Sequence, residues 1–472
     1  MLKKLQHRLF KFLRSIKKLP PIHILMIEFF LIEIIGSFLL WLPISSRNNQ
    51  SVDFMDAFFT ATSALCVTGL TVKNTLLQWS VFGKIIIMLL IEIGGLGFMT
   101  IITVFFIFAG KKITLKERLM VQESLNQLNS KGIVALVKRI FYWVIIIQGI
   151  GAAILTLKFL SMPNTNFFKA VFMGIFHSIS SYCNAGFDII GDENMTPYVK
   201  DITVNLTVMT LITLGGIGYT VMADFIYVFR ELAYKKLSLA KKISRLKLHT
   251  KLVIISTLAL SIFGAFFILL CEFANEQTLG PLSFPNKILA SFFQSVSSRT
   301  TGFNSINEYA LNQNSKIVTV ILMFIGGSPG GTAGGIKTVT AAILILAVIC
   351  AVQGKNKIEV FKRTISFYTL QRALAITLFN FAAVYLSTLL LNALNPNIDF
   401  VDILFETTSA VGTVGLSVGL TAGFSVVCKL IICIDMIIGK LGPASVAVAL
   451  LLRRKNVAEN LINYPEEKVI VG

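Results

Sequence analysis

The 472-residue sequence predicts an all-α polytopic membrane protein: four tandem helix–pore loop–helix repeats, eight spanning helices in all, set pseudo-fourfold around a central pore. Three observations carry that expectation. The first is composition. Hydrophobic residues make up 55% of the chain and charged residues 14%, where a soluble domain carries about 25% charge, and mean hydropathy is +0.76. A soluble enzyme and a disordered chain are excluded on that ground. The second is alternation of charge. Stretches 1–20, 110–139, 230–251, 353–372 and 453–472 hold 31 Lys and Arg against seven acids; the connections between them, 43–78, 161–202, 272–316 and 393–429, hold eight against twelve. Such asymmetry puts both termini in the cytoplasm of a multi-pass plasma-membrane protein. The net charge of +19 then reads as faces beside anionic lipid, with partner docking as the lesser alternative, and not as a nucleic-acid footprint. The third observation is a fourfold glycine repeat.

Taken in order, the candidate spans are 21–42, 81–109, 133–160, 203–229, 250–275, 317–350, 370–393 and 429–452, each about the length a bilayer needs. The start is basic and lacks a small-residue cleavage site, so the first span is read as retained. Within each pair of spans lies an apolar stretch too short to cross: FTATSALCVTGL from Phe59, FHSISSYCNAGF from Phe176, FFQSVSSRTTGF from Phe292 and FETTSAVGTVGL from Phe405. In each, a Gly follows the Phe by ten residues, giving Gly69, Gly186, Gly302 and Gly415 at intervals of 117, 116 and 113. A second glycine cluster follows 24 to 29 residues later, beginning at Gly94, Gly215, Gly326 and Gly439. The repeats divide the chain into a basic arm 1–20, units 21–110, 111–230, 231–352 and 353–452, and a tail 453–472. Every unit begins and ends inside, so the four are parallel and not inverted.

Non-helical backbone at membrane depth is tolerated only when buried in protein or lining a water-filled cavity. Four such segments on one axis make a ring of carbonyls able to replace a cation's hydration shell. Short helices entering from outside would direct their partly negative C-termini at the ion, and glycine would supply the positive φ that turns carbonyls inward. The expected filter is Val67, Thr68 and Gly69; Asn184, Ala185 and Gly186; Thr300, Thr301 and Gly302; Thr413, Val414 and Gly415. It contains no carboxylate, which favours a monovalent cation.

The sixth span is expected to break. Residues 326–335 are Gly326, Gly327, Ser328, Pro329, Gly330, Gly331, Thr332, Ala333, Gly334 and Gly335, six glycines and a proline in ten positions. At roughly 1 kcal/mol per Gly and 3 for Pro, no helix persists there. A loop at that depth can obstruct a pore and move aside. Lys440, half-way through the last span, is an intramembrane cation and hence a functional candidate, with Asp435 as its possible partner. Lys337 is read as snorkelling toward the cytoplasm. Glu28, Glu33, Glu92 and Asp224 are read as structural, Glu92 bonding backbone, and Arg299 as a tether of the third pore helix. The six cysteines lack CxxC or metal spacing. GGSPG from Gly326 matches a nucleophile elbow formally, yet none of His7, His23, His177 and His249 is placed to serve Ser328, and the chain is not read as an enzyme.

With these residues the chain resembles the Trk/Ktr/HKT superfamily of potassium transporters, along nearly its whole length from Pro21. The resemblance implies four helix–pore–helix units in one chain, with Gly69, Gly186, Gly302 and Gly415 as filter glycines. A serine at the first of these goes with sodium transport in plant relatives; glycine at all four resembles the potassium-selective pattern. The chain starts directly at the first unit and ends YPEEKVIVG, and so looks most like the KtrB type of bacterial membrane subunit. That type implies a homodimer docked on a cytoplasmic ring of nucleotide-binding, KtrA-like regulators. No nucleotide site is expected in this chain, which lacks a Rossmann glycine fingerprint. Potassium is the expected substrate, with activation by sodium left open. Residues 326–335 match the family's intramembrane gating loop, and Lys440 stands where its members usually carry Arg. The implied function is channel-like, passive potassium uptake driven by the membrane potential, at about 2.3 kcal/mol per charge per 100 mV. The alternative is a sodium- or proton-coupled symporter.

Overall fold

A computed structural model describes residues 21–442 except 112, 125–131, 164, 192–193, 235–238 and 356. The expected arm 1–20, the tail 453–472 and residues 443–452 of the last span lie outside the described residues.

The first unit consists of α1 (Pro21–Trp41), α2 (Phe54–Cys66), α3 (Val81–Leu96) and α4 (Phe98–Phe108). After the connecting helix α5 (Leu115–Ser124), the second has α6 (Ile133–Phe159), α7 (Phe167–Cys183), α8 (Ile202–Gly216) and α9 (Tyr219–Tyr234). A short α10 (Leu239–Arg245) leads to the third, with α11 (Leu248–Glu272), α12 (Phe284–Ser297), α13 (Gln313–Phe324) and α14 (Thr338–Val352). The fourth holds α15 (Phe367–Leu394), α16 (Phe400–Gly412) and α17 (Val426–Leu441). Between the third and fourth units, β1 (Ile358–Val360) and β2 (Arg363–Ile365) pair antiparallel. This hairpin departs from the all-α expectation. Phe361 and Lys362 both take positive φ, as a two-residue type I′ turn requires.

Local sequence explains where helices start. The short pore-type helices α2, α7, α12 and α16 follow Asp53, Asn166, Ser283 and Asp399, and the helices after each loop follow Ser80, Asp201, Asn312 and Ser425. All eight are residue types favoured at N-caps. Asn166, Asp399, Ser80, Asp201 and Ser425 accept a first-turn N–H with their side chains.

The four long helices α1, α6, α11 and α15 are apolar and long enough to span a bilayer. Each exposes large apolar side chains, among them Phe38, Ile146, Phe266 and Leu386; the chain is a multi-pass membrane protein with these surfaces toward lipid.

The expected continuous spans 81–109 and 203–229 are corrected by the structure. α3 and α4 meet at 94°, α8 and α9 at 98°. The hinges are Gly97 (φ 81) and Gly218 (φ 92), and α17 ends in the same way at Gly442 (φ 80). The break foreseen only in the third unit is therefore present in the first and second units as well. Packing explains it. A Cβ on Gly94, Gly215 or Gly439 would collide with the carbonyl oxygen of Leu65, Tyr182 or Val411, near the end of the same unit's pore helix.

Neighbouring units join in cyclic order. α3 packs on α7, α8 on α12, α13 on α16, and α17 returns to α2. The apolar core follows the same path. One cluster joins the first two units and reaches Phe293 and Phe303 of the third; Met323 meets Phe405 and Val414; Met55 and Phe59 meet Cys428 and Ile432.

Candidate functional site

The short helices α2, α7 and α16 end alike. Val67 (φ 58, ψ 46), Asn184 (φ 62, ψ 44) and Thr413 (φ 49, ψ 52) take the left-handed conformation that closes a helix. The next residue donates its N–H back to the helix at 2.8 Å: Thr68 to Ser63 O, Ala185 to Ser180 O, Val414 to Ser409 O. The third unit differs. α12 stops at Ser297, Ser298 stays right-handed, and the positive φ moves to Thr300 at 94°. All four loops then reach a glycine with φ between 67° and 94°.

These four glycines meet in a ring. A Cβ on Gly69 would strike the carbonyl oxygen of Ala185, on Gly186 that of Thr301, on Gly302 that of Val414, and on Gly415 that of Thr68. Each loop thus presses one carbonyl against the next loop's glycine, and the circuit closes. The structure brings all twelve sequence-derived filter residues to this one place. Val67, Thr68, Asn184, Ala185, Thr300, Thr301, Thr413 and Val414 are at most 2% exposed. The hydroxyls of Thr68, Thr301 and Thr413 are buried without a partner. Among the described residues no cluster of three or more His, Cys, Asp or Glu is placed to hold a metal, so the polar groups of the ring are carbonyls, hydroxyls and the Asn184 amide.

Serines not singled out in the sequence hold these loops. Ser63 Oγ accepts from Gly69 N at 3.1 Å and Ser409 Oγ from Gly415 N at 3.0 Å, while Ser180 donates to Phe187 O at 2.8 Å. All three stand six residues before the ring glycine, a register visible in the repeat itself; the third unit has Val296 there and uses Ser297, which donates to Phe303 O. Glu406 is a second omission. It accepts from Ser417 Oγ, Val418 N and Thr421 Oγ1, and so pins the segment after the fourth loop glycine. His177, buried, bonds Met173 O and receives Ile189 N, doing the same for the second.

Residues 325–337 interrupt the third unit between α13 and α14, as the glycine content predicts. The segment lies against the ring: a Cβ on Gly334 would strike Thr413 Oγ1, and one on Gly326 would come within 2.8 Å of Thr300 Cγ2. It is stitched to the break between α8 and α9. That break leaves helix carbonyls without their usual partners. Gly216 O accepts from Ser328 N at 2.8 Å and Gly215 O from Thr332 N at 3.2 Å, while Tyr219 N donates to Gly330 O at 3.0 Å. Thr332 Oγ1 reaches Tyr182 O at 3.2 Å, and Ser328 Oγ lies 3.0 Å from Thr338 Oγ1.

The readings of Lys440, Lys337 and Glu92 need correction, and those of Glu33, Asp224 and Arg299 do not. Lys440 does not pair with Asp435; it donates to Thr332 O at 3.2 Å, across to the loop. Asp435 instead accepts from Ser387 at 2.6 Å. The two lie five positions apart on α17, which puts them on different faces. Lys337 does not snorkel away but folds back onto Ala333 O at 2.6 Å and Gly334 O at 3.4 Å. Glu92 accepts from side chains, Gln148 Nε2 at 3.0 Å and Cys183 Sγ at 3.3 Å, rather than from backbone. Glu33 receives Thr62 and Asp224 receives Thr250, each at 2.6 Å. Arg299 reaches Thr257 O, Ser261 Oγ and Gly326 O.

The family model for TrkH, a cation transport protein, matches residues 18–458. The chain is 39% identical over 462 residues to Ktr system potassium uptake protein B of Bacillus subtilis (strain 168), covering 98% of this chain and 99% of that protein. It is 38% identical over 459 residues to the potassium/sodium uptake protein NtpJ of Enterococcus hirae, covering 97% and 98%. Its fold is similar to the crystal structure of the potassium transporter TrkH from Vibrio parahaemolyticus, with a TM-score of 0.69 at 18% identity over 91% of this chain and 84% of that one.

Proposed function

The chain belongs to the TrkH family of membrane cation transporters, which are not enzymes, and from that premise we propose that it takes up potassium as the ion-conducting subunit of a Ktr-type system. One observation carries the reading: the four loop glycines, far apart in sequence, close into a ring of carbonyl contacts. In this reading the four units stand pseudo-fourfold around a central pore, and the carbonyls of Val67, Thr68, Asn184, Ala185, Thr300, Thr301, Thr413, Val414 and the four glycines coordinate dehydrated potassium. Flux is passive, following the membrane potential. The loop 326–335 closes the path on the far side of the ring, and Lys440 latches it through Thr332 O. The chain works as a homodimer on a cytoplasmic KtrA-like ring, with both termini on that side. The proposal extends to the chain the substrate printed in the name of its Bacillus relative.

Rubidium uptake into proteoliposomes of the purified chain tests this, with an imposed potassium diffusion potential and independently varied sodium and pH gradients. Uptake should follow the potential alone and be blocked by excess potassium. The Gly69→Ser variant, whose Cβ meets Ala185 O at a φ of 94°, should lose discrimination against sodium by about tenfold, or ~1.4 kcal/mol. An absolute requirement for a sodium or proton gradient at saturating voltage would mean a coupled symporter.

A further inference from the structure

Arg299 occupies, three residues before the third filter glycine, the position held by Cys66, Cys183 and Gly412 in the other units. It is only 8% exposed. Its guanidinium makes three hydrogen bonds, at 3.2, 3.3 and 3.5 Å, all to neutral oxygens. These are longer than the usual 2.9–3.0 Å or so of an N–H···O bond. Its Nε–H has no partner, and none of the ion pairs among the described residues includes it. A buried charge is stable only when paired and hydrogen-bonded, and arginine cannot escape by losing its proton.

Beside it lies a cavity of about 20 Å³ between the second and third units, its polar wall formed by Asn184, Thr213, Thr257 and Arg299 and the rest by glycines and the apolar Ile212, Ile217 and Val296. That is room for one water-sized particle, which needs roughly 10–15 Å³. A second wall residue, Thr257, also has a buried hydroxyl with no partner. The wall carbonyl of Gly216 is taken by Ser328 N, and the hydroxyl of Thr213 by Met209 O. Both unmet groups can donate: a charged N–H, which can do nothing else, and an O–H.

We propose that this cavity binds one small monatomic anion of the chloride class, held by Arg299 Nε–H and Thr257 Oγ1–H. A water would satisfy the hydrogen bonds and leave the charge uncompensated; an anion satisfies both. The site does not rest on the gating reading. Its consequence is local neutrality three residues from the third filter glycine, where a bare guanidinium would repel a cation.

Crystals of the full chain with bromide replacing chloride provide the test, read by anomalous scattering. A single bromide peak should stand in the cavity, in contact with both groups. Its occupancy at sub-saturating bromide should fall several-fold in Thr257→Val, which keeps the size of the side chain and the guanidinium, and it should vanish in Arg299→Gln. If Arg299→Gln fails to fold, Thr257→Val decides alone. An ordered water without anomalous signal, or a peak unchanged in Thr257→Val, overturns the proposal. Either outcome leaves potassium uptake standing, since rubidium flux tests that separately.

Discussion

At the scale of single residues, buried polar groups tie distant segments together. Lys440 spans from the last unit to Thr332 O at 3.2 Å. A hydrogen bond from a charged donor contributes about 1.5–3 kcal/mol, so Lys440→Gln should favour the displaced loop and raise basal rubidium uptake by about tenfold. A second prediction concerns Glu308, in the connection after the third filter. It is 2% exposed and receives Gln294 Nε2 at 2.7 Å. Burial lifts its carboxyl from 4.5 to about 8. The folded state thus keeps a proton that the unfolded state releases. Stability contributed by this group is full below about 4.5 and is lost as pH rises toward 8. Thermal melts of Glu308→Gln in detergent should lack that decline; an unchanged pH profile would remove Glu308 as its source. The four ring glycines and the buried Lys440 stand out in the sequence because glycine repeats in register and a cation in an apolar run are rare. The partner of Lys440 could not, since Thr332 lies 108 positions away.

At the scale of elements, the helices after the first and second glycine loops are the informative part. Their hydropathy is continuous across 81–109 and 203–229, so the sequence reads as straight spans, yet α3–α4 and α8–α9 turn through 94° and 98°. GGLG from Gly94 and GGIG from Gly215 carried the signal, but two or three glycines in an apolar run equally suit close helix packing. Contact with the pore-helix carbonyls selects the bend. Gly218 has φ 92, and a Cβ there would approach Pro329 O at 2.5 Å. Gly218→Ala should therefore dislodge the loop and raise uptake, as Lys440→Gln does, while Gly110→Ala, with open space around its Cβ, should leave uptake unchanged. Equal uptake in the two alanine variants would rule out the α8–α9 break as the loop's seat.

For the whole molecule, ring closure depends on contacts between units distant in sequence. Lys316 after the third loop pairs with Asp402 of the fourth pore helix at 2.7 Å, and Lys429 with Asp56 of the first at 2.7 Å. The first pair is largely sequestered, its side chains 7% and 15% exposed. Removing one member of a buried pair costs about 3–5 kcal/mol because the other charge is stranded. Asp402→Asn should lower the melting temperature sharply, and Asp402→Leu with Lys316→Met should recover most of the loss. A double variant no more stable than the single would show that the pair contributes little through charge.

The sequence by itself determined the membrane class, the four repeats, the four loop glycines and the fragile segment 326–335. Each follows from composition or from a residue type that one local backbone state demands. Only the tertiary structure decided which loop touches which, where the second helices bend, and that Lys337 and Lys440 both turn toward the loop carbonyls rather than toward water or acid. Those outcomes depend on where buried N–H and C=O groups find partners in a medium that offers no water. The partner that satisfies a broken helix at Gly215 and Gly216 is a loop more than a hundred residues later, and no local pattern encodes that distance.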